Sequence, residues 1–429
     1  MPLRTLASSS PCPAHARTPV VRRNLRRPVP LLALGIALTA MLAAACGAGV
    51  HTDAASDGGD VSDRPDAPTG LPGDGGDSGD AAPMLDAATP DAEPVRSTVY
   101  AVAGSPGGPA ESLNGANAAL DLRTLTVTPG MDATAARYDP VMRRIGDKFY
   151  ILNRGASPHI SVVNSTLFKI GLVSDPLAAS PQDIAIVGTK MFVPSLGGVG
   201  VAVLAPGALG RAIDLSDLDV DGHPDCMSIY KVDTRLYVAC AVLDQNGTPR
   251  GPGKVVVLDA ATEERVATLT LSTARPYSLF EQLPNGDLVI STVPNLVGSG
   301  SGCVERVITS ALPSASGCMI SNASLGGGYA STLAVQASPP MLYLAVSFFP
   351  ASTLRAYDLA TGQLRAAPVT PASQRVADVV ACPDGEVVIA DTATAASGLR
   401  VYGSDGIERT TESLSIGRTP TSRHGLACY

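Results

Sequence analysis

A short apolar phrase returns seven times along this chain: Val99-Tyr100-Ala101, Phe149-Tyr150-Ile151, Met191-Phe192-Val193, Leu236-Tyr237-Val238, Leu288-Val289-Ile290, Leu342-Tyr343-Leu344 and Val387-Val388-Ile389. Between the middle residues the steps are 50, 42, 45, 52, 54 and 45 residues. A regular period of this size marks a repeat fold, and about 40–50 residues is the length of one four-stranded propeller blade. Each phrase reads as the second strand of its blade. Third strands follow a turn later at Ile160–Val163, Val199–Val203, Val255–Leu258, Leu354–Tyr357 and Leu399–Tyr402. Turn chemistry comes next, as at Asp259–Glu264, Asp358–Gly362 and Gly403–Gly406.

Innermost strands are expected just before each phrase, at Pro181–Ile186, Pro224–Met227 and Val376–Val380 among others. The first phrase has none, because only linker precedes Thr98, whereas after the seventh blade the chain adds Thr421–Cys428. The C-terminal strand is therefore expected to complete the first blade and close the ring, which removes the exposed edge. The fold class that follows is all-β, a seven-bladed β-propeller over residues 97–429. One domain suffices, since a propeller buries blade against blade and needs no single central core.

Residues 1–46 have a different grammar. Arg22, Arg23, Arg26 and Arg27 precede an apolar run from Leu31 to Ala45, the pattern of an export signal and too short to span a bilayer. The run ends at Ala43-Ala44-Ala45-Cys46-Gly47, which resembles the lipobox of bacterial lipoproteins. That resemblance implies a diacylglycerol on Cys46 and attachment to the membrane through the N-terminal lipid. It departs from the family pattern in having Leu42 four residues before the cysteine and Ala43 at the usual Leu position; Ala43-x-Ala45 equally suits ordinary signal peptidase, which would make the protein secreted. Gly47 in place of Asp resembles outer-membrane sorting.

Residues 47–96 are Asp, Gly, Ala and Pro with eleven acids against Arg64 and Arg96, about −9, and cannot bury a core. They are expected to form a self-repelling tether. The whole chain carries −8, so the propeller domain itself is only mildly acidic, with no basic stripe for nucleic acid.

Leu236-Tyr237-Val238-Ala239, followed by Lys254–Glu263 and Val266-Ala267-Thr268-Leu269, looks like the YVTN/YncE-like propeller repeat, and the likeness extends from Thr98 to Tyr429. With the acidic tether it is similar to lipoproteins of myxobacteria and their relatives. The motifs of that repeat are structural, so the resemblance implies a fold and an envelope address, not a chemistry. The absence of tryptophan sets the chain apart from quinoprotein and WD-repeat propellers.

Six cysteines belong to the propeller, an even number in an oxidising compartment. Cys226 and Cys240 are symmetric about Asp233, the centre of a tight turn, so a hairpin would set them opposite one another. Cys303 and Cys318 flank the Ser310–Ala315 turn in the same manner. Cys382 and Cys428 remain, near inner-strand ends of neighbouring blades, where a bridge needs a Cα separation below about 7 Å. Buried free thiols are the alternative for all six.

Polar motifs are few. Asp217, Asp219 and Asp221 with Gly222, then Asp225, match the first half of an EF-hand loop and give calcium as the candidate ion, although Ser228 stands where a bidentate Glu is expected. An acidic connector between blades three and four explains the same residues. By alignment Asp183, Asp378 and His424 share one register and would ring a mouth of the central channel, a place suited to a polar ligand or divalent ion; Asn153-Arg154 would join that rim. There is no Gly-x-Ser-x-Gly and no phosphate loop. The function expected is a non-enzymatic binding or scaffolding module at the cell envelope, an outer-membrane lipoprotein. It would act as a monomer with an envelope protein, glycan or small molecule as partner. The rival is a metal-dependent hydrolase or lyase of the lactonase type, with its site at the channel mouth.

Overall fold

The computed structural model describes residues 97–429 apart from 105–114, 131, 133, 138, 155–157, 165, 167–168, 175–179, 295–301, 349, 394–395 and 421–422. The expected signal segment, Cys46 and the tether lie outside the described residues.

Blade one contains β1 (Thr98–Ala103), β2 (Ala116–Asp121) and β3 (Thr126–Pro129). Blade two is β4 (Pro140–Ile145), β5 (Lys148–Asn153), β6 (His159–Asn164) and β7 (Lys169–Val173). In blade three follow β8 (Ala185–Val187), β9 (Lys190–Pro194), β10 (Gly200–Leu204) and β11 (Arg211–Asp214). Blade four has β12 (Cys226–Val232), β13 (Arg235–Cys240), β14 (Lys254–Asp259) and β15 (Arg265–Thr270). Blade five has a divided inner strand, β16 (Arg275–Pro276) and β17 (Glu281–Gln282), then β18 (Leu288–Val293), β19 (Cys303–Ile308) and β20 (Ser314–Ser321). Blade six is β21 (Tyr329–Gln336), β22 (Met341–Phe348), β23 (Ala351–Asp358) and β24 (Gln363–Leu364). Blade seven is β25 (Val376–Ala381), β26 (Val387–Asp391) and β27 (Gly398–Tyr402), and β28 (Leu426–Cys428) follows it.

These strands form seven antiparallel sheets, and every apolar phrase falls in the second strand of its sheet. Second strands pack against a neighbouring blade on both faces, so they read as unbroken apolar runs; β18 and β26 are buried at every residue. Outer strands face solvent on one side, and β15 alternates exposed with half-buried positions instead. The tail strand β28 pairs with β1 as the missing innermost strand, Val99 facing Cys428 and Ala101 facing Leu426. Mutual hydrogen bonds between Thr98 and Tyr429 and one from Val102 N to Gly425 O extend the join. Seven separate apolar clusters follow, one at each blade-to-blade contact, including blade seven against blade one through Val388, Leu399, Leu120 and Leu426.

Two blades depart from the pattern. In blade five Pro276 has no amide proton to continue a ladder, and Ser278 takes over. Its hydroxyl accepts from Ser291 N while its own amide donates to Ser291 Oγ, at 2.9 and 3.1 Å. In blade seven the fourth strand is reduced to two isolated bridges, Leu399 with Leu414 and Tyr402 with Glu408.

The expected bridges Cys226–Cys240 and Cys382–Cys428 are present, the second with its Cα atoms 5.5 Å apart. The third expected pair, Cys303 and Cys318, is not bridged here, although the two thiols are within hydrogen-bonding reach of each other. A bulge in the β19–β20 pairing sets Cys318 across from Glu305 and Cys303 across from Ser321, so the two cysteines are not opposed as the turn symmetry implied.

Candidate functional site

The first strands of all seven blades surround a central channel, and a cavity of about 600 Å³ occupies it. Its wall runs from the register of Asp378 and His424 to the far ends of the inner strands: Met142–Ile145, Ile184–Ile186, Ile229–Lys231, Leu333–Val335, Asp378–Ala381 and Leu426–Cys428, with Leu279 and Glu281 from the divided strand. Most residues of this wall are aliphatic, and its polar groups are Arg143, Arg144, Tyr230, Lys231, Glu281, Asp378 and His424.

Asp183 is fully buried and saturated with donors. Arg143 Nε and Nη2 hold its two oxygens at 2.8 Å each, and Ser228 Oγ, Ile229 N and Ile184 N complete the set at 2.9 Å each. The residue thus ties blade three to blades two and four. Asp378 does the same work at the seam, accepting from Val379 N, Gly425 N and Leu426 N at 2.9, 2.6 and 3.1 Å, and so fastens blade seven to the tail. Burial nonetheless outweighs these amides and pushes the Asp378 carboxyl up to about 7.

His424 stands at positive φ, +56°, where its ring turns across the channel. Its Nε2 accepts from Leu279 N of blade five at 3.1 Å, which assigns the proton to Nδ1. Enclosure, with Arg143, Arg423 and Arg154 adding repulsion, holds the imidazole well below its usual range, so it is neutral. Phe280 N meanwhile donates to Ser228 Oγ at 2.9 Å, and Leu279 packs into the cluster between blades two and three. The segment between β16 and β17 thereby crosses the channel and plugs it.

Arg143 also reaches Phe280 O at 3.3 Å and Glu281 at 3.6 Å, and lies 5.8 Å from the centre of the Tyr230 ring. Burial disfavours its charge, yet Asp183 more than offsets this and the guanidinium titrates above its normal value. Glu281, with 28% of its side chain facing the cavity, is pushed up to about 7 by burial and by the negative field of Asp183 and Asp378 against the pull of Arg143.

Of the sequence-predicted rim, Asp378 and His424 line the cavity and Asp183 stands behind it under Arg143. Arg154 reaches the opposite mouth, bound to Asp139 at 2.7 Å and to Gln182 at 3.0 Å, while Asn153 is buried against Ala135 O and His159. The acidic loop is clamped by arginines. Arg265 grips Asp217, Arg250 bridges Asp219 and Asp221 at 2.6 and 3.1 Å, and Asp225 accepts from Gly197 N and Leu243 N. Among the described residues no group of three His, Cys, Asp or Glu is gathered to hold a metal ion. Arg143, Tyr230 and Glu281 were not singled out from sequence; the charged pair Arg143-Arg144 inside the otherwise apolar segment before the second phrase was the available signal.

No family model matches the chain, and no curated protein does. Solved structures do. A proposed 6-phosphogluconolactonase from Bacteroides fragilis superposes with a TM-score of 0.56 at 11% identity, over 78% of this chain and 98% of that one. The Swd1 β-propeller domain of Myceliophteria thermophila gives 0.48 at 10% identity over 66% and 88% of the two chains, and apo AztD of Citrobacter koseri 0.46 at 11% over 76% and 84%. At such identities the likeness speaks to architecture alone, and with the seven sheets described above it makes this chain a seven-bladed β-propeller.

Proposed function

We propose that this protein is an exported, lipid-anchored propeller that binds a ligand in its channel and performs no chemistry on it. The cavity carries this reading: about 600 Å³ is the size of a small-molecule site. Its wall is polar and apolar in nearly equal measure, with Arg144, Lys231, Tyr230 and Glu281 as convergent polar groups. Asp183, Asp378 and the lone pair of His424 are consumed in holding blades together, which leaves little for a reacting substrate. Lipid on Cys46 and the acidic segment after it would place the domain at the outer membrane with room to meet envelope partners.

Native mass spectrometry of the protein recovered from envelope extract tests the binding role. A retained adduct that Tyr230→Ala and Lys231→Glu both lose supports it; an adduct unaffected by either, or none, removes the channel as the site. Metabolic labelling with a tagged fatty acid tests the anchor, with label expected on the wild type and absent from Cys46→Ala.

One observation favours the enzyme reading. Glu281 sits at about 7 on the cavity wall, where a carboxyl can exchange protons near neutral pH. The Bacteroides neighbour's name lends a lactone as the substrate class to try, on architecture alone. Lactone hydrolysis abolished by Glu281→Gln would establish it.

A further inference from the structure

On the other side of the plug at Leu279 lies the opposite mouth of the channel, where the inner strands begin. Arg275 and Tyr277 precede Leu279 in blade five, Arg423 precedes His424 in the tail, Tyr329 opens β21, and Arg154 follows β5, whose last residue faces Pro140 at the start of β4. These residues meet. The Arg423 guanidinium lies 4.1 Å from the centre of the Tyr277 ring and that of Arg275 lies 6.0 Å from it, while Tyr329 meets Tyr277 edge-on at 5.4 Å.

Three guanidinium groups are thus collected around one aromatic pair. Arg154 has its carboxylate, Asp139. Arg275 and Arg423 have none among the described residues, and Arg275 Nε and Arg423 Nη1 are buried with no hydrogen-bond partner. Asp225 exerts an attraction on Arg275, but both its oxygens are already engaged by Gly197 N and Leu243 N. A buried donor left unmet is costly, and folded proteins leave few. Here two occur on guanidinium groups that flank one tyrosine ring and repel one another: burial lowers the pKa of Arg154 and of Arg275, and Arg423 lowers both further. Such a gathering is paid back when an anion enters. Guanidinium edges present paired N–H groups to a planar carboxylate or a tetrahedral phosphate, while a ring face stacked on Arg423 fixes the plane of the fork.

We propose that this mouth is a second binding site, for a small molecule bearing an oxyanion group. Its oxygens pair with the guanidinium edges of Arg275 and Arg423, and its body lies against Tyr277 and Tyr329. The proposal is independent of the channel reading, since Leu279 and His424 stand between this mouth and the channel cavity.

Isothermal titration of the purified chain with inorganic phosphate and with citrate, at constant ionic strength and with potassium chloride as the blank, provides the test. Saturable heat is expected for at least one of the two, weakened about tenfold or more by Arg423→Gln and by Arg275→Gln, a range ordinary for a charged hydrogen bond. Phosphate alone identifies a phosphoryl ligand and citrate alone a carboxylate; Arg123→Gln, at an exposed turn of blade one away from both the channel and this mouth, should bind as the wild type does. Because the two arginines bring unmet donors into the empty site, both substitutions should leave the melting temperature unchanged or raised without ligand. No heat above the chloride blank, binding that survives both substitutions, or a melting temperature lowered by both in ligand-free buffer would overturn the assignment.

Discussion

Asp183 illustrates how a charge can be internal and still favourable. Its ion pair with Arg143 is shielded from water, and three neutral donors take up the remaining lone pairs. Arg143→Met keeps the apolar stem but strips the counter-charge from a fully buried carboxylate, a change that costs about 3–5 kcal/mol. The urea midpoint should fall accordingly, and Asp183→Asn, which leaves no buried anion, should cost less. Glu281 and Asp378 give the protein a pH signature. Both carboxyls titrate at about 7 when folded, against 4.5 and 3.8 for the free side chains. Between about pH 4 and 7 the folded state therefore binds more protons than the unfolded chain, and stability drains away as pH rises through that window. His424, kept neutral, works the other way and withdraws stability as pH falls below 6.5. Scanning calorimetry from pH 5 to 7.5 should show Glu281→Gln with Asp378→Asn gaining on the wild type as pH rises; a constant gap would mean that neither carboxyl is elevated. Sequence alignment placed Asp183, Asp378 and His424 at a common level because register is a matter of counting. Whether their lone pairs are free depends on amides and a guanidinium from other blades, which no local pattern reveals.

At the level of single strands and turns, the Asp-x-x-Thr connector recurs as one device. Asp121, Asp259 and Asp358 each turn a carboxylate oxygen onto the amides two and three residues ahead, at 2.8 to 2.9 Å. Those amides lower the pKa of all three, so the turns keep their charge into acid. Asp259→Ala forfeits two such bonds at an exposed turn and should lower the urea midpoint slightly with unchanged slope. This element was legible because its residues are adjacent in sequence. Blade five was harder: Pro276 announces a broken strand, yet the direction in which residues 277–280 leave it is set by Ser228 and His424, far away along the chain. The bulge in the β19–β20 pairing likewise has no local mark beyond Gly317 at positive φ, +87°, and it offsets Cys303 from Cys318. A thiol reagent should find Cys318 in the folded domain and both cysteines only after unfolding, since Cys303 is buried.

For the molecule as a whole, stability is distributed over seven contacts of similar kind, and one of them joins parts of the chain more than 300 residues apart. The seam holds through β28, the Asp378 amide cradle and the Cys382–Cys428 bridge. Cys428→Ser removes a cross-link over a separation of 46 residues, worth about 2–4 kcal/mol, and should lower the midpoint while leaving the circular dichroism spectrum intact. Removing residues 425–429 should be far worse, because β1 then offers a bare, apolar strand edge to other copies; light scattering would report the association. The ring was readable from the number and spacing of its phrases together with the missing first strand, both global properties of the sequence.

That last strand has a bearing on how the protein comes into being. A chain that emerges with its front end first must hold the edge of β1 unmet while every other blade forms, and only the arrival of the tail completes the circle. Throughout that interval the growing wheel is an open fan, sticky at one rib, and the hazard lasts until β28 arrives to meet it.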